Sequence, residues 1–333
     1  MKVLKFLGLA LAIVLLVLVA LFYEGDIPKD VVDARYASPN SQFLDLGDAG
    51  RIHFRDEGNH RRAPIVLLHG SNASLHTFEP WVSELGGQYR LISIDLPGHG
   101  LTGEIPAGDY SRQRMIDTVA AVADYLALES FVIAGNSMGG GVAWRYALAY
   151  PAQVRGLILI DASAGFKPGD GNDPNATSQS SGRSGTVMAF ELLKQPWFRQ
   201  IASKFDPYYL VAQGLRSAYN DSPVVDEALI MRYYDLNLRE GTRSATLQRF
   251  DQGTRSGDWE TVLEPGMIEA PTLIMWGMKD TVIPFAFAYR LEEAISHAST
   301  AYYEDVGHIP MEEIPARSAA DVATFMASLP EPG

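Results

Sequence analysis

The 333-residue chain contains no cysteine, which excludes disulfides, a cysteine nucleophile and any thiolate metal or iron–sulfur site. It is also short of positive charge, with 27 Lys and Arg against 40 Asp and Glu and a net charge of −13 when the histidines are neutral. Nucleic-acid binding calls for a basic patch, so dispersed acidity of this kind argues against it. No internal repeat is visible. What remains is an apolar share of 47 % with 20 % charged residues, the profile of a globular protein with a sizeable core.

One stretch departs from that profile. Residues 6–23 (FLGLALAIVLLVLVALFY) form an unbroken apolar run of 18 residues, close to the length that spans a hydrocarbon core. Lys2 and Lys5 precede it, while Glu24 and Asp26 follow. The positive-inside rule then keeps the N-terminus cytoplasmic and exports everything after Tyr23. A cleaved signal peptide is the competing reading, but the run ends Val19-Ala20-Leu21-Phe22-Tyr23 without a good small-x-small site. An uncleaved anchor is therefore expected.

From about residue 40 the chain alternates short apolar, β-branched runs with helical patterns. Strands are predicted at 43–45, 52–56, 65–68, 91–94, 131–134, 157–160, 272–276 and 301–303, with helices between them, for example 111–126 and 138–150. The later strands are continuously apolar, as expected of strands buried on both faces. Strands separated by helices predict an α/β fold, a mainly parallel sheet with helices on both faces. The first two strands, joined through Gly47 and Gly50, predict an antiparallel hairpin leading into it. Between Asp161 and Ala270 the alternation stops. Residues 167–185 are rich in Gly, Ser, Asn and Asp, and a mobile loop is expected there. The aromatic, helically patterned stretch at 186–252 predicts an inserted helical cap. The expected organisation is a membrane anchor or signal segment (1–26), a first core part (27–165), loop and cap (166–268) and a second core part (269–333).

The chemistry concentrates at Gly135-Asn136-Ser137-Met138-Gly139. This is G-x-S-x-G between a predicted strand and a predicted helix, the setting in which a sharp turn presents a serine hydroxyl above the sheet. Gly135 and Gly139 keep neighbouring chain clear of that turn. A serine hydroxyl needs a base, and the base needs an orienting acid. His308, in the loop after the last strand, takes the place of base at the carboxyl edge, where open α/β sheets build their sites. His53 in a strand, His60 in a charged turn, and His76 and His297 in helix-like surroundings fit solvated or structural roles. Asp280 follows the strand at 272–276 and completes the chain order Ser, acid, His. Asp161, directly after the strand at 157–160, is the rival acid. The N–H groups of Met138 and of Ser71 are candidate oxyanion donors, with Asn72 the alternative to Ser71. His69 reads as a buttress of that loop.

Two patterns mislead when taken alone. Gly98-His99-Gly100-Leu101-Thr102-Gly103 matches a dinucleotide fingerprint, but the following Glu104-Ile105-Pro106-Ala107-Gly108 cannot open the required helix. Asp170-Gly171-Asn172-Asp173 lacks the spacing and closing glutamate of a calcium loop. Neither a cofactor nor a metal is expected.

Together with His69-Gly70, Asp95-Leu96-Pro97-Gly98-His99-Gly100, the stretch at 271–277 and Gly307-His308-Ile309-Pro310, these residues resemble the α/β-hydrolase superfamily. The Gly-Asn-Ser-Met-Gly-Gly form and the stretch around Ser74-Leu75-His76-Thr77-Phe78 are similar to bacterial esterase/lipase family V, which includes Moraxella-type lipases. The resemblance covers about residues 40–330. It implies a triad of Ser137, Asp280 and His308, no cofactor, and hydrolysis of a small or lipid-like carboxylic ester. A bacterial inner-membrane protein, single-pass with its body on the periplasmic or extracellular side, is the matching location; secretion after signal cleavage is the alternative. Carbon–carbon bond hydrolysis of ring-cleavage products and noncatalytic binding on the same fold are the rival functions.

Overall fold

The computed structural model describes residues 23–165, 204–255, 263–264 and 266–330. The apolar run up to residue 22, the expected loop at 167–185 and the first part of the expected cap lie outside these residues. Among the described residues no helix is long and apolar enough to cross a membrane.

Eight strands form one sheet: β1 (Ser41–Asp45), β2 (Arg51–Gly58), β3 (Pro64–Leu68), β4 (Arg90–Ile94), β5 (Phe131–Asn136), β6 (Val154–Ile160), β7 (Thr272–Gly277) and β8 (Ser299–Tyr303). Their order is β1-β2-β4-β3-β5-β6-β7-β8. The β1–β2 hairpin is antiparallel, and β2 joins β4 antiparallel. Every pairing from β4 through β3 to β8 is parallel. Each predicted strand is present, usually a residue or two longer than its apolar signal.

The sheet separates two cores. Leu157 and Leu159 of β6 enter one, while Ile158 and Ile160 enter the other. This alternation explains why the strand reads as continuously apolar, since both of its faces are buried. Helices α1 (Lys29–Tyr36), α2 (Glu79–Leu85), α3 (Arg112–Tyr125) and α4 (Met138–Ala149) precede β6. Met115, Ile116 and Val119 of α3 pack with Val142 and Trp144 of α4 on the first face. Trp81 and Leu85 of α2 pack on the second, together with Val322 and Phe325. Ser111 caps α3 by accepting the Arg114 N–H at 3.2 Å, one of the free donors at a helix start.

Among the described residues, three helices lie between β6 and β7 in the chain: α5 (Tyr208–Ala218), α6 (Glu227–Leu238) and α7 (Thr242–Arg255). They are followed by α8 (Ala286–Ala294), α9 (Pro310–Glu313) and α10 (Pro315–Ser328). The indole N–H of Trp81 donates to Ser318 Oγ at 2.8 Å and joins α2 to α10.

Candidate active site

Four chemically equipped residues follow the carboxyl ends of adjacent strands. Ser137 follows β5, Asp161 follows β6, Asp280 lies three residues beyond β7, and His308 lies five beyond β8. Parallel pairing of these strands aligns their carboxyl ends along one edge, which is the physical reason residues 171 positions apart (308 − 137) meet.

Ser137 has φ 53° and ψ −116°, a conformation sparsely populated by residues with a Cβ. Neighbouring backbone holds it there. Its N–H donates to the Ile160 carbonyl at 2.9 Å, and its carbonyl accepts from Gly141 and Ser163. A Cβ on Gly139 would stand 2.2 Å from the Leu68 carbonyl oxygen, and one on Gly135 would stand 2.3 Å from Gly139. Close packing of the turn therefore dictates glycine on both sides of the serine. Asn136, to which the sequence reading gives no role, stitches the site together: its Nδ2 donates to the carbonyls of Ile160 (3.2 Å) and His308 (3.0 Å).

His308 Nδ1 lies 2.6 Å from Asp280 Oδ2. Asp280 is a hydrogen-bond acceptor at its other oxygen as well, taking the N–H groups of Val282 (2.7 Å) and Ile283 (2.9 Å) on Oδ1. The histidine loop is fixed from both sides, because Glu313 accepts the N–H groups of Gly307 and Ile309, while His308 N–H donates to the Ala218 carbonyl. With Nδ1–H donated to the aspartate, Nε2 carries the ring's lone pair.

The rival acid belongs to the same cluster. Oxygens of Asp161 and Asp280 and a ring nitrogen of His308 all lie within 4.8 Å of one another. Asp161 Oδ1 accepts the Gly277 N–H at 2.9 Å. Burial, and then the neighbouring Asp280 charge, push the Asp161 carboxyl well above its ordinary value, which favours its neutral form. These three side chains could geometrically hold a cation. Existing hydrogen bonds, however, occupy both Asp280 oxygens, His308 Nδ1 and Asp161 Oδ1, which fits a hydrogen-bonded network better than a ligand set.

Ser137 and His308 line one cavity of about 550 Å³, with walls from α5, α6 and α7 that include Leu210, Val211, Leu215, Leu238 and Leu247. Gly70, Ser71 and Asn72 line it too. Met138 is the first residue of α4, so its N–H has no acceptor within the helix. Ser71 approaches it, with Oγ 3.5 Å from Met138 Sδ. Asn72 has a left-handed backbone (φ 58°), its side-chain oxygen accepting from Arg249 Nη2 at 2.9 Å.

The loops beneath are organised by buried histidines. His69 donates Nδ1–H to the Gly70 carbonyl (2.7 Å) and accepts the Leu96 N–H at Nε2 (3.0 Å). Burial lowers its pKa, so this neutral ring serves the loop as a buttress. Asp95 is fully buried and accepts from Leu75, Leu101 and His53. Burial alone would raise its pKa, but the hydrogen bond and charge of His53 outweigh that and hold the carboxyl below the usual range. A Cβ on Gly100 would stand 2.1 Å from this carboxylate. The glycines at 98, 100 and 103 are all at positive φ, and the turn they form lies against Asp95 through Gly100 and the Leu101 N–H, while Gly98 packs on Tyr110 and Gly103 on Arg239.

A nucleophile-type turn after β5, an Asp–His pair after β7 and β8, and this strand order define a class of α/β enzymes built on a common sheet. The profile of the alpha/beta hydrolase fold family matches residues 63–315, and the chain belongs to that family. It is 26 % identical over 275 residues to a 2-hydroxymuconate semialdehyde hydrolase of Pseudomonas sp. strain CF600, covering 79 % of this chain and 87 % of the relative. It is 25 % identical over 287 residues to Lipase 1 of Psychrobacter immobilis, covering 86 % and 84 %. Among solved structures, the esterase of Exiguobacterium antarcticum superposes with a TM-score of 0.68 at 24 % identity, covering 86 % of this chain and 99 % of that one.

Proposed function

We propose that this hydrolase-fold chain is a serine ester hydrolase. The 2.6 Å contact between His308 Nδ1 and Asp280 Oδ2, beside a serine on the same cavity, carries this reading. Ser137 Oγ attacks the acyl carbon while its proton passes to His308 Nε2. Asp280 holds the ring and stabilises the imidazolium, and the N–H groups of Met138 and Ser71 receive the oxyanion. The proton on His308 then leaves with the alcohol. Water, deprotonated by the same histidine, resolves the acyl-enzyme and restores the serine.

The cavity lining favours esters over the carboxylate-bearing products of ring cleavage. Such acids need cations, and the cation among the described lining residues is Arg243, whose guanidinium is engaged by Asp26 and the Glu24 carbonyl. Apolar walls instead suit an acyl or alcohol chain. We further propose that residues 6–23 anchor the protein, with its body on the exported side of a bacterial inner membrane and a lipid-like ester as substrate. A mature N-terminus beginning after residue 20 would refute the anchor.

The ester reading is tested by substituting Ser137→Ala. Hydrolysis of a p-nitrophenyl ester and labelling by a fluorophosphonate should both vanish while the far-ultraviolet circular dichroism is unchanged. A parallel assay with a vinylogous diketo acid gives the other outcome: turnover of that substrate alone would assign carbon–carbon hydrolysis.

A further inference from the structure

The fold fixes where the chain leaves the N-terminal apolar run. Tyr23, the last residue of that run, forms an antiparallel bridge with Phe205, and Ile27 forms a parallel one with Arg239. Glu24 N–H donates to the Lys204 carbonyl at 2.9 Å. Arg243 of α7 completes the attachment, donating from Nε to Asp26 Oδ1 at 2.6 Å and from Nη2 to the Glu24 carbonyl at 2.8 Å. The segment following the run is therefore stitched to the helices over the cavity, and Arg243 itself lines that cavity.

The adjoining rim is apolar and open. Phe205 leads through Pro207 into α5, whose first turn leaves Tyr209 71 % and Leu210 73 % exposed, while Val282 of the β7–α8 connection is 53 % exposed. Leu210 and Val282 both line the cavity. Such side chains gain free energy on leaving water, and an apolar group beside a cavity mouth marks an interaction face. The occupant is indicated by the chain itself: an 18-residue apolar run of membrane-spanning length ends one β-bridge away from this rim. The net charge of −13 makes attraction to anionic headgroups a poor driving force, so contact would be apolar.

We propose that Tyr209, Leu210 and Val282 dock on the lipid surface into which the N-terminal run inserts, so that the cavity opens toward the bilayer and receives its substrate from the lipid phase. This rests on the anchor and ester-hydrolase readings above, and the experiment separates them.

Because the chain lacks cysteine, single labels can be placed without background. The full chain carrying Tyr209→Cys, Leu210→Cys or Tyr125→Cys, each bearing an environment-sensitive fluorophore, is reconstituted in phosphatidylcholine vesicles with and without a spin-labelled lipid quencher. Tyr125 is 59 % exposed at the end of α3, six residues before β5 begins (131 − 125), and so reports the sheet edge opposite the cavity. Labels at 209 and 210 should shift to the blue and be quenched by the lipid, while the label at 125 should not respond. In addition, Tyr209→Asp should slow hydrolysis of an ester dissolved in the vesicle about tenfold, yet leave a soluble short-chain ester within about twofold. An equal response at all three positions, or a protein that fails to float with the vesicles, overturns the docking. Lipid quenching at 209 and 210 with neither ester hydrolysed leaves the docking standing and removes the ester reading.

Discussion

Asp161 and Asp280, which end or closely follow neighbouring strands, bring carboxyl oxygens within 4.8 Å of each other and of the His308 ring. They are not equivalent. Asp280 accepts two backbone N–H groups and faces the histidine nitrogen, whereas Asp161 accepts one N–H and is pushed toward its neutral form by burial and by Asp280. Two like charges this close in a buried site disfavour one another, and Asp161, with fewer hydrogen bonds to its carboxyl, is the one pushed toward its neutral form.

That asymmetry predicts opposite outcomes for the same chemical change. Asp161→Asn replaces a carboxyl biased toward its neutral form with a neutral amide of the same shape, and kcat on a short-chain ester should stay within about threefold of the parent. Asp280→Asn removes the acceptor that sets the histidine tautomer and should cost about 10⁴-fold. Steady-state kinetics of the two purified variants provide the comparison. A large loss in both would mean that the proton is shared between the carboxyls.

Stability should depend on pH through the same residue. The folded pKa of Asp161 lies above its ordinary value of 3.8, so between those values the native state binds more protons than the unfolded chain. Its contribution to stability is full below pH 3.8 and is lost as pH rises through the folded value. Asp161→Asn cannot ionise and escapes this loss. Urea unfolding across the pH range should show the variant gaining on the parent as pH rises from the acid side, and a constant difference would contradict the assignment.

Arg249 offers a third test. Its guanidinium is buried, and burial draws its pKa down to about 10. Its hydrogen-bond partners are two neutral groups, the His99 ring and the Asn72 side-chain oxygen. Without a carboxylate in either position it is an expensive residue to bury, which fits a role in clamping the loop that carries Ser71. Arg249→Met relieves the desolvation and should change unfolding free energy by no more than about 1 kcal/mol. Losing the clamp on Asn72 should lower kcat about tenfold, the worth of roughly one charge-assisted hydrogen bond. Denaturant unfolding and ester turnover, measured on the same preparation, separate the two effects.

How much of this was legible in the sequence follows from the range of the interactions involved. The central strands, β5 and β7 above all, announce themselves because both of their faces are buried, and Ser137 because its turn forces glycine at fixed offsets. Asp280 and His308 are readable through chain order, since strand ends are the one place where distant residues reliably converge. Helix α1 escaped because it buries only Val32 and so has little periodic apolar signal. The His53–Asp95 and His99–Arg249 contacts span 42 and 150 residues, and no local pattern encodes them. The Gly98–Gly103 turn has the spacing of a phosphate loop because both structures need backbone at positive φ close to an acceptor-rich group; only the packing around Asp95 distinguishes them.

The backbone of Ser137 leads to the last prediction. Its φ of 53° and ψ of −116° cost a residue with a Cβ on the order of 1–3 kcal/mol, and glycine is exempt from most of that cost. Ser137→Ala removes the hydroxyl but keeps the strain, while Ser137→Gly removes both and gives back about 0.5–1 kcal/mol through the freer unfolded chain. Both variants should be inactive toward esters, yet the glycine variant should be the more stable by about 1 kcal/mol, read as a higher urea midpoint at unchanged slope. A glycine variant less stable than the alanine one would show that the turn stores no strain, and equal midpoints would limit the strain to the roughly 0.5–1 kcal/mol that glycine gives back. The expected result would make the serine a residue retained at the expense of stability, as a nucleophile is and a structural turn residue is not.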